Sequence, residues 1–205
     1  MPERRSRLFE HPDFPPPGGG SGWHPLHLPW PHLISTPDHA VPRVRWTRCG
    51  AGALLWEIQA PPPLAARSAF RTAADGFTEG LWTQDVAECF IADPGTGHYT
   101  EYNLSPAGAW WACHYTAPRQ RSDPQPDWLR AGIVTETGWT KTGWTGRMIC
   151  PLPPPAATQA ATGRPVVNFT AVVAIPDARA YYSLAAIGGG ERPDFHRLMG
   201  WRELE

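Results

Sequence analysis

The sequence predicts an all-β protein built as a two-sheet antiparallel β-sandwich. Three observations carry that expectation. Many short runs alternate with a period of two, the repeat a strand imposes. Gly and Pro are abundant, 20 and 25 of 205 residues, and punctuate those runs. No segment sustains the 3.6-residue period of a long helix, and this combination is the signature of packed sheets.

The elements follow in order. Residues 1–22 read as a flexible arm, charged and then interrupted by Pro15-Pro16-Pro17 and Gly18-Gly19-Gly20. Residues 23–205 read as one domain. Trp23 to Pro42 is rich in Pro and His, with Trp30, Leu33 and Ile34 as anchors. Val41–Cys49 and Ala53–Ala60 form two strands joined by a hairpin-like break at Cys49-Gly50-Ala51-Gly52. Residues 64–80 fit a short helical turn or a loop. Val86–Ile91 alternates Val86, Glu88 and Phe90 with Ala87, Cys89 and Ile91, and Asp93-Pro94-Gly95 with Gly97 turns it into Tyr99–Leu104. Ser105-Pro106-Ala107-Gly108 leads to a third strand, Trp110–Thr116.

Ala131–Thr137 reads as a further strand, and the two Gly-Trp-Thr units at 138–140 and 143–145 read as a local turn. Met148–Leu152 is short and apolar. Val166–Ile175 is the clearest strand, β-branched and bounded by Pro165 and Pro176, and Tyr181–Ile187 is expected to pair with it.

Composition excludes several classes. Hydrophobic residues make up 41% of the chain and charged residues 18%, enough for a core and too few charges for a disordered chain. Net charge is −1, and Lys141 is the only lysine, so no clustered basic face for nucleic acid is expected. No apolar run reaches the length of a membrane span. The first residues carry charge without a following apolar stretch, which points to the cytoplasm. Cys49, Cys89, Cys113 and Cys150 are widely spaced with no CxxC pair, so reduced thiols are expected.

Certain residues stand in a recognisable order: Leu81-Trp82-x-x-Asp85-x-x-Glu88-x-Phe90, then Tyr99-x-Glu101-Tyr102-Asn103-Leu104-Ser105-Pro106-x-Gly108-x-Trp110. Further on come Val166–Val173, Tyr181–Ile187 and Pro193-Asp194-Phe195-His196. This pattern, spanning roughly residues 43–201, resembles the DOMON-like domains, relatives of the family 9 carbohydrate-binding modules. The resemblance implies a jelly-roll-like sandwich whose members bind sugars or haem. It implies a sugar or sugar-like ligand clamped by aromatic rings and held by a carboxylate, roles that Trp82 and Glu88 match. The second clamping ring falls to Phe195, Trp201 or Tyr182, and the arginine expected beside the site to Arg119 or Arg121. Haem binding is the alternative, with Met148, Met199, His98, His114 and His196 as available donors.

The residues themselves allow two readings each. Trp82 can stack its flat face on a sugar ring or seal the end of the sandwich among the chain's 11 tryptophans. Glu88 sits mid-strand among apolar neighbours, where a carboxylate needs a partner or a wet cleft. Glu101 and Asn103 share a strand face with Tyr99 and either add polar groups beside Glu88 or form a solvated face. Asp85 reads as a strand-start residue. Asp194 and His196 read as a turn in which Phe195 plugs the core. No catalytic motif emerges: Asp85 and Glu88 point to opposite faces, and Ser105 lacks a nucleophile elbow. His11, His24, His27, His32 and His39 are irregularly spaced and make a poor zinc site. The expected ligand-binding set is therefore Trp82, Glu88, Glu101, Asn103, Phe195 and Trp201. The third possibility is a structural or protein-interaction domain with no small ligand.

Overall fold

A computed structural model describes residues 22–33, 40–50, 52–62, 76–154, 164–175, 178–187 and 190–204. The expected arm before Gly22, most of 64–80, Ile34 and residues 155–163 lie outside the described residues. Among the described residues there are twelve strands: β1 (His24–Pro25), β2 (Arg43–Cys49), β3 (Ala53–Ala60), β4 (Val86–Ala92), β5 (Tyr99–Leu104), β6 (Trp110–Ala117), β7 (Gln120–Arg121), β8 (Val134–Thr140), β9 (Gly143–Pro151), β10 (Val166–Ile175), β11 (Ala178–Ser183) and β12 (Arg202–Glu203). Three short 3-10 turns accompany them, at Pro31–Leu33, Leu81–Thr83 and Asp127–Arg130. No described helix is long and apolar enough to cross a membrane.

The strands form two antiparallel sheets. One has five strands in the order β1-β2-β3-β9-β8. The other runs β11-β10-β4-β5-β6-β7, with β12 pairing the start of β10. The expected sandwich is the observed architecture. Alternation decides which side chains meet between the sheets: Ala87, Cys89 and Ile91 of β4 and Phe169, Ala171 and Val173 of β10 pack against Leu54, Trp56, Ile58 and Met148. Trp46 stacks on Phe169 with ring centroids 4.9 Å apart.

Two sequence expectations change. The Gly-Trp-Thr pair is the head of a hairpin rather than a local turn: Trp139 lies opposite Trp144, and β9 continues through Pro151 in one run. Thr140 donates its hydroxyl to the Gly143 carbonyl, closing the turn without any of the usual Gly–Asn signals inside it. Gly143 is required for another reason, since a Cβ there would sit 2.0 Å from the Ala60 carbonyl oxygen. The strand expected over Tyr181–Ile187 ends at Ser183, after which Leu184 still donates its N–H to Phe169.

On its outer face the five-stranded sheet carries a row of alternating charge. Register aligns Arg45 with Glu57, Glu57 with Arg147, and Arg147 with Glu136. Arg45 is bidentate to Glu57, and Arg147 to one oxygen of Glu136. Opposite charges facing one another across strands support the sheet, where like charges would oppose it.

The outer face of the second sheet is not solvated. Val86, Phe90, Tyr99, Trp111, Tyr115 and Val172 project there and are covered by Trp30, Leu81, Phe195 and Trp201. β4 and β5 are consequently buried on both faces along their full length. The cover comes from both ends of the described chain. Trp30 meets Phe195 edge-on at 5.6 Å, and Trp201 lies against Phe90 at 5.7 Å. The segment 190–204 is tied back by β12, where Glu203 and Arg202 pair with Val166 and Val167, and by the Leu204 N–H to Pro165.

Candidate ligand-binding cleft

Between that cover and the sheet lies a cleft of about 320 Å³, at the small end of the roughly 300–1,000 Å³ range of ligand sites. Its floor is β4 and β5, because Glu88, Phe90 and Glu101 occupy the outward positions of those strands. One wall is Trp82 on the Leu81–Thr83 turn with Tyr115 of β6. The other is Tyr181 of β11 with Pro193, Phe195 and His196. Arg119 and Arg121, flanking Gln120 in the β6–β7 hairpin, stand at the rim.

Trp82 is 37% exposed and rests edge-on against Trp111 at 4.8 Å. Its backbone is pinned by Arg179, which donates to the Trp82 and Thr83 carbonyls. Arg121 spans the Trp82 and Trp111 rings, 5.2 and 5.0 Å from their centroids, and pairs with Glu79 at 2.9 Å. Glu79 also accepts the Trp111 indole N–H at 2.6 Å. The half-exposed ring is thus held rigidly, with a guanidinium beside it.

Glu88 and Glu101 are each 4% exposed. Register sets Glu88 opposite Asn103 and Phe90 opposite Glu101, so the two carboxyls are diagonal neighbours on one face. Glu88 Oε2 accepts the Thr170 hydroxyl at 2.5 Å. Glu101 accepts the Asn103 amide through Oε1 and the Tyr115 hydroxyl through Oε2, both at 3.1 Å. Neutral donors alone hold this pair. Burial, followed by the charge of Glu101, raises Glu88 to about 8. Burial likewise raises Glu101, to about 7, against the lowering effects of its Asn103 and Tyr115 hydrogen bonds and of Arg121 and Arg119. Such a pair titrates as a unit and keeps about one proton near neutral pH.

The Tyr99 hydroxyl organises the far wall. It accepts the Arg119 backbone N–H at 3.0 Å and lies 2.7 Å from His196 Nδ1. A phenol has one proton to give, so it goes to Nδ1 and the imidazole carries its own proton on Nε2. Burial first, and then the Arg119 charge, push His196 down to about 4, which keeps it neutral. Asp194 accepts the His196 backbone N–H at 3.3 Å and the Arg119 guanidinium at 3.0 Å. The Pro-Asp-Phe-His segment is therefore a side-chain-capped turn that inserts Phe195 into the outer-face cluster. Arg119 holds φ 60°, a left-handed conformation that costs a non-glycine residue roughly 1–2 kcal/mol.

Of the residues expected from sequence, Trp82, Glu88, Glu101 and Phe195 line one cleft. Asn103 lies beside the two acids on the same face of the sheet, fully buried and outside the cleft lining, giving its amide to Glu101. Trp201 is packed behind Phe90 and Tyr99 and does not line the cleft. The reading of Glu101 and Asn103 as a solvated face is overturned by the Phe195–Trp201 cover. Tyr182 turns into the inter-sheet core, and its neighbour Tyr181 faces the cleft. That choice is one of strand parity, fixed by Tyr181 lying opposite Val172. Tyr115 and His196 were not in the expected set; the signal for Tyr115 was its place on the same face as Glu101, two strands from Glu88. Asp85 precedes β4 and accepts the Ala174 N–H, holding the edge of β10 to the strand start.

The donors considered for haem do not converge. Met148 is buried between the sheets and Met199 is 83% exposed, so the two methionines share no site. His98 and His114 contact each other edge-on at 5.8 Å, with His114 also against Trp128. These residues do not fit an axially ligated haem. Among the described residues no group of three metal-ligating side chains occurs, and His11 and His39 lie outside them.

No family model matches the chain, and no curated protein matches it either. A presumed carbohydrate-binding protein from Bacteroides uniformis ATCC 8492 superposes with a TM-score of 0.61 over 88% of this chain and 84% of its own, at 16% identity. The two chains share a fold. Two structures of a family 9 carbohydrate-binding module from Caldicellulosiruptor kristjanssonii, with cellotriose and with glucose, align at TM-scores of 0.49. Their identities are 14% and 13%, over 80% and 78% of this chain and 72% and 73% of theirs.

Proposed function

We propose that this chain is a non-catalytic binding module that takes a carbohydrate or sugar-like small molecule in the cleft beside Trp82. The observation that carries the reading is the cleft itself: a rigid, half-exposed indole stands over two buried carboxyls, with Tyr181 and Phe195 on the facing wall. A pyranose offers an apolar C–H face to an aromatic ring and hydroxyls to carboxyl and imidazole groups, and the cleft supplies both. The DOMON-like motifs of the sequence support the same assignment, as does the fold shared with a presumed carbohydrate-binding protein.

The placement of the acids lends no support to a glycosidase. Glu88 and Glu101 sit side by side on one floor, whereas glycoside hydrolysis needs two carboxyls flanking the scissile bond. Calorimetric titration of mono- and oligosaccharides into wild type and Trp82→Ala tests the proposal. Wild type is expected to bind in the micromolar to millimolar range, and the variant at least about tenfold more weakly while keeping its thermal stability, a loss of about 1.4 kcal/mol. Equal binding by both proteins, or none by either, refutes the proposal.

A further inference from the structure

We propose that the floor of the cleft is an ammonium site, so that the ligand is an amine-bearing sugar whose protonated amine sits on Glu88 and Glu101. This rests on the carbohydrate reading and narrows it to a chemical class.

Charge balance around the cleft is uneven. Each rim arginine already has an acid: Arg119 pairs with Asp194, which also faces Arg197, and Arg121 pairs with Glu79. The floor has no such partner. Among the described residues neither Glu88 nor Glu101 forms an ion pair, and their hydrogen bonds come from Thr170, Asn103 and Tyr115, all neutral. The remaining groups facing the cleft, His196 and Tyr181, bring no positive charge, since His196 is held neutral by its burial and by Arg119.

The floor is also short of donors. Glu88 is more than nine-tenths buried and lines the cleft, yet its only hydrogen bond among the described residues is the Thr170 hydroxyl to Oε2. Oε1 is left for whatever occupies the space above it. An ammonium brings three N–H donors, no acceptor and one positive charge, which meets both deficits at once. A sugar hydroxyl brings one donor and leaves the charge deficit to a proton. A carboxylate-bearing sugar would meet rim arginines that already hold Asp194 and Glu79, and two acids at the floor.

The walls suit the same occupant. Phe90, Tyr115 and Phe195 present rings around the floor, and aromatic faces attract a cation that has left water. Displacement of the shared proton by the ammonium accounts for the charge, and the released proton is itself a readout.

The experiment compares glucosamine, N-acetylglucosamine, glucose and cyclohexylamine by calorimetry near pH 6.5, each in two buffers of different ionisation enthalpy. Glucosamine is expected to bind about ten- to hundredfold more tightly than glucose, the factor typical of a charge-assisted hydrogen bond. It should release a fraction of one proton, and acetylation should abolish the gain. Glu88→Gln and Glu101→Gln, each confirmed folded by thermal unfolding, should bring glucosamine down to the level of glucose. Equal binding of glucose and glucosamine by wild type overturns the ammonium site and leaves the carbohydrate reading standing. Cyclohexylamine binding as tightly as glucosamine upholds the ammonium site and removes the sugar ring from the reading. Binding of none of the four overturns both.

Discussion

Replacing Glu88 by Gln takes one ionisable group off the cleft floor while keeping its shape and an oxygen for the Thr170 hydroxyl. The expected consequence is a change in how stability responds to pH. Both floor carboxyls are raised in the folded protein above the ordinary glutamate value of 4.5, to about 8 for Glu88 and about 7 for Glu101. Between the unfolded and folded values the native state binds more protons than the unfolded chain. The stability they contribute is therefore full below pH 4.5 and is lost as pH rises through the folded values. His196 has the opposite sign: lowered from 6.5 to about 4, it makes stability rise with pH over that interval. The interval from about pH 6.5 to 8 lies above the folded imidazole, and over its first unit the unfolded-state titration of His196, and of His114 and His24, which are lowered by burial as well, offsets part of the carboxyl effect. Retaining one proton across it is worth about 1.4 kcal/mol per pH unit, or roughly 2 kcal/mol in all. For a chain of this size that is a fall in Tm of about 4–8 °C. Thermal unfolding followed by circular dichroism at half-unit pH steps measures it. In Glu88→Gln the slope should shrink to less than half, because Glu101 also loses the repulsion that the pair imposes. A wild-type Tm that stays level or rises from pH 6.5 to 8, or a variant that keeps the full slope, refutes the reasoning.

Three further outcomes are expected. Tyr99→Phe removes the proton that fixes His196, and should cost about 1 kcal/mol while changing the imidazole tautomer seen by nitrogen NMR; unchanged ring shifts would contradict the assignment. Arg119→Gly keeps the N–H to Tyr99 and relieves the left-handed φ, so stability should move by less than about 1 kcal/mol, whereas Arg119→Val should lose about 1–2 kcal/mol more on denaturant unfolding. Gly143→Ala drives a methyl into the Ala60 carbonyl and should destabilise by about 2 kcal/mol or more, displacing the β8–β9 hairpin from β3.

Much of the fold was legible because burial imprints a period on the sequence. The alternation of Val86, Glu88 and Phe90 with Ala87, Cys89 and Ile91 separates the two faces of β4 as they are found, and Val166–Ile175 matches β10 in both bounds. The hairpin at 138–145 was hidden because its turn, Lys141-Thr142, carries no glycine, while its glycines serve close packing at Gly143 and Gly146. The site was legible in part. Trp82, Glu88 and Glu101 stand close in sequence and on neighbouring elements, so local pattern gathers them. Phe195 came from the motif near the end, but Tyr181 and His196 depend on long-range facts: the parity of β11 against β10, and the return of the last segment over the sheet. Pattern within a strand does not reveal what lies on top of it, which is why Glu101 could pass for a solvated residue.

That returning segment makes the cleft a two-piece structure. One piece is the sheet, tied together by five strand pairings; the other, residues 190–204, is fastened by a two-residue strand, the Leu204 N–H to Pro165, the Asp194 and His196 side-chain contacts to Arg119 and Tyr99, and aromatic packing. A segment so lightly attached opens at lower cost than the sheet unfolds. A ligand touching Glu88 on one side and Phe195 or His196 on the other closes a bridge between the pieces. Occupancy should then slow amide exchange at Phe195–Leu204 more than anywhere in β4 or β5, so that the end of the chain reports, from outside the floor, whether the floor is filled.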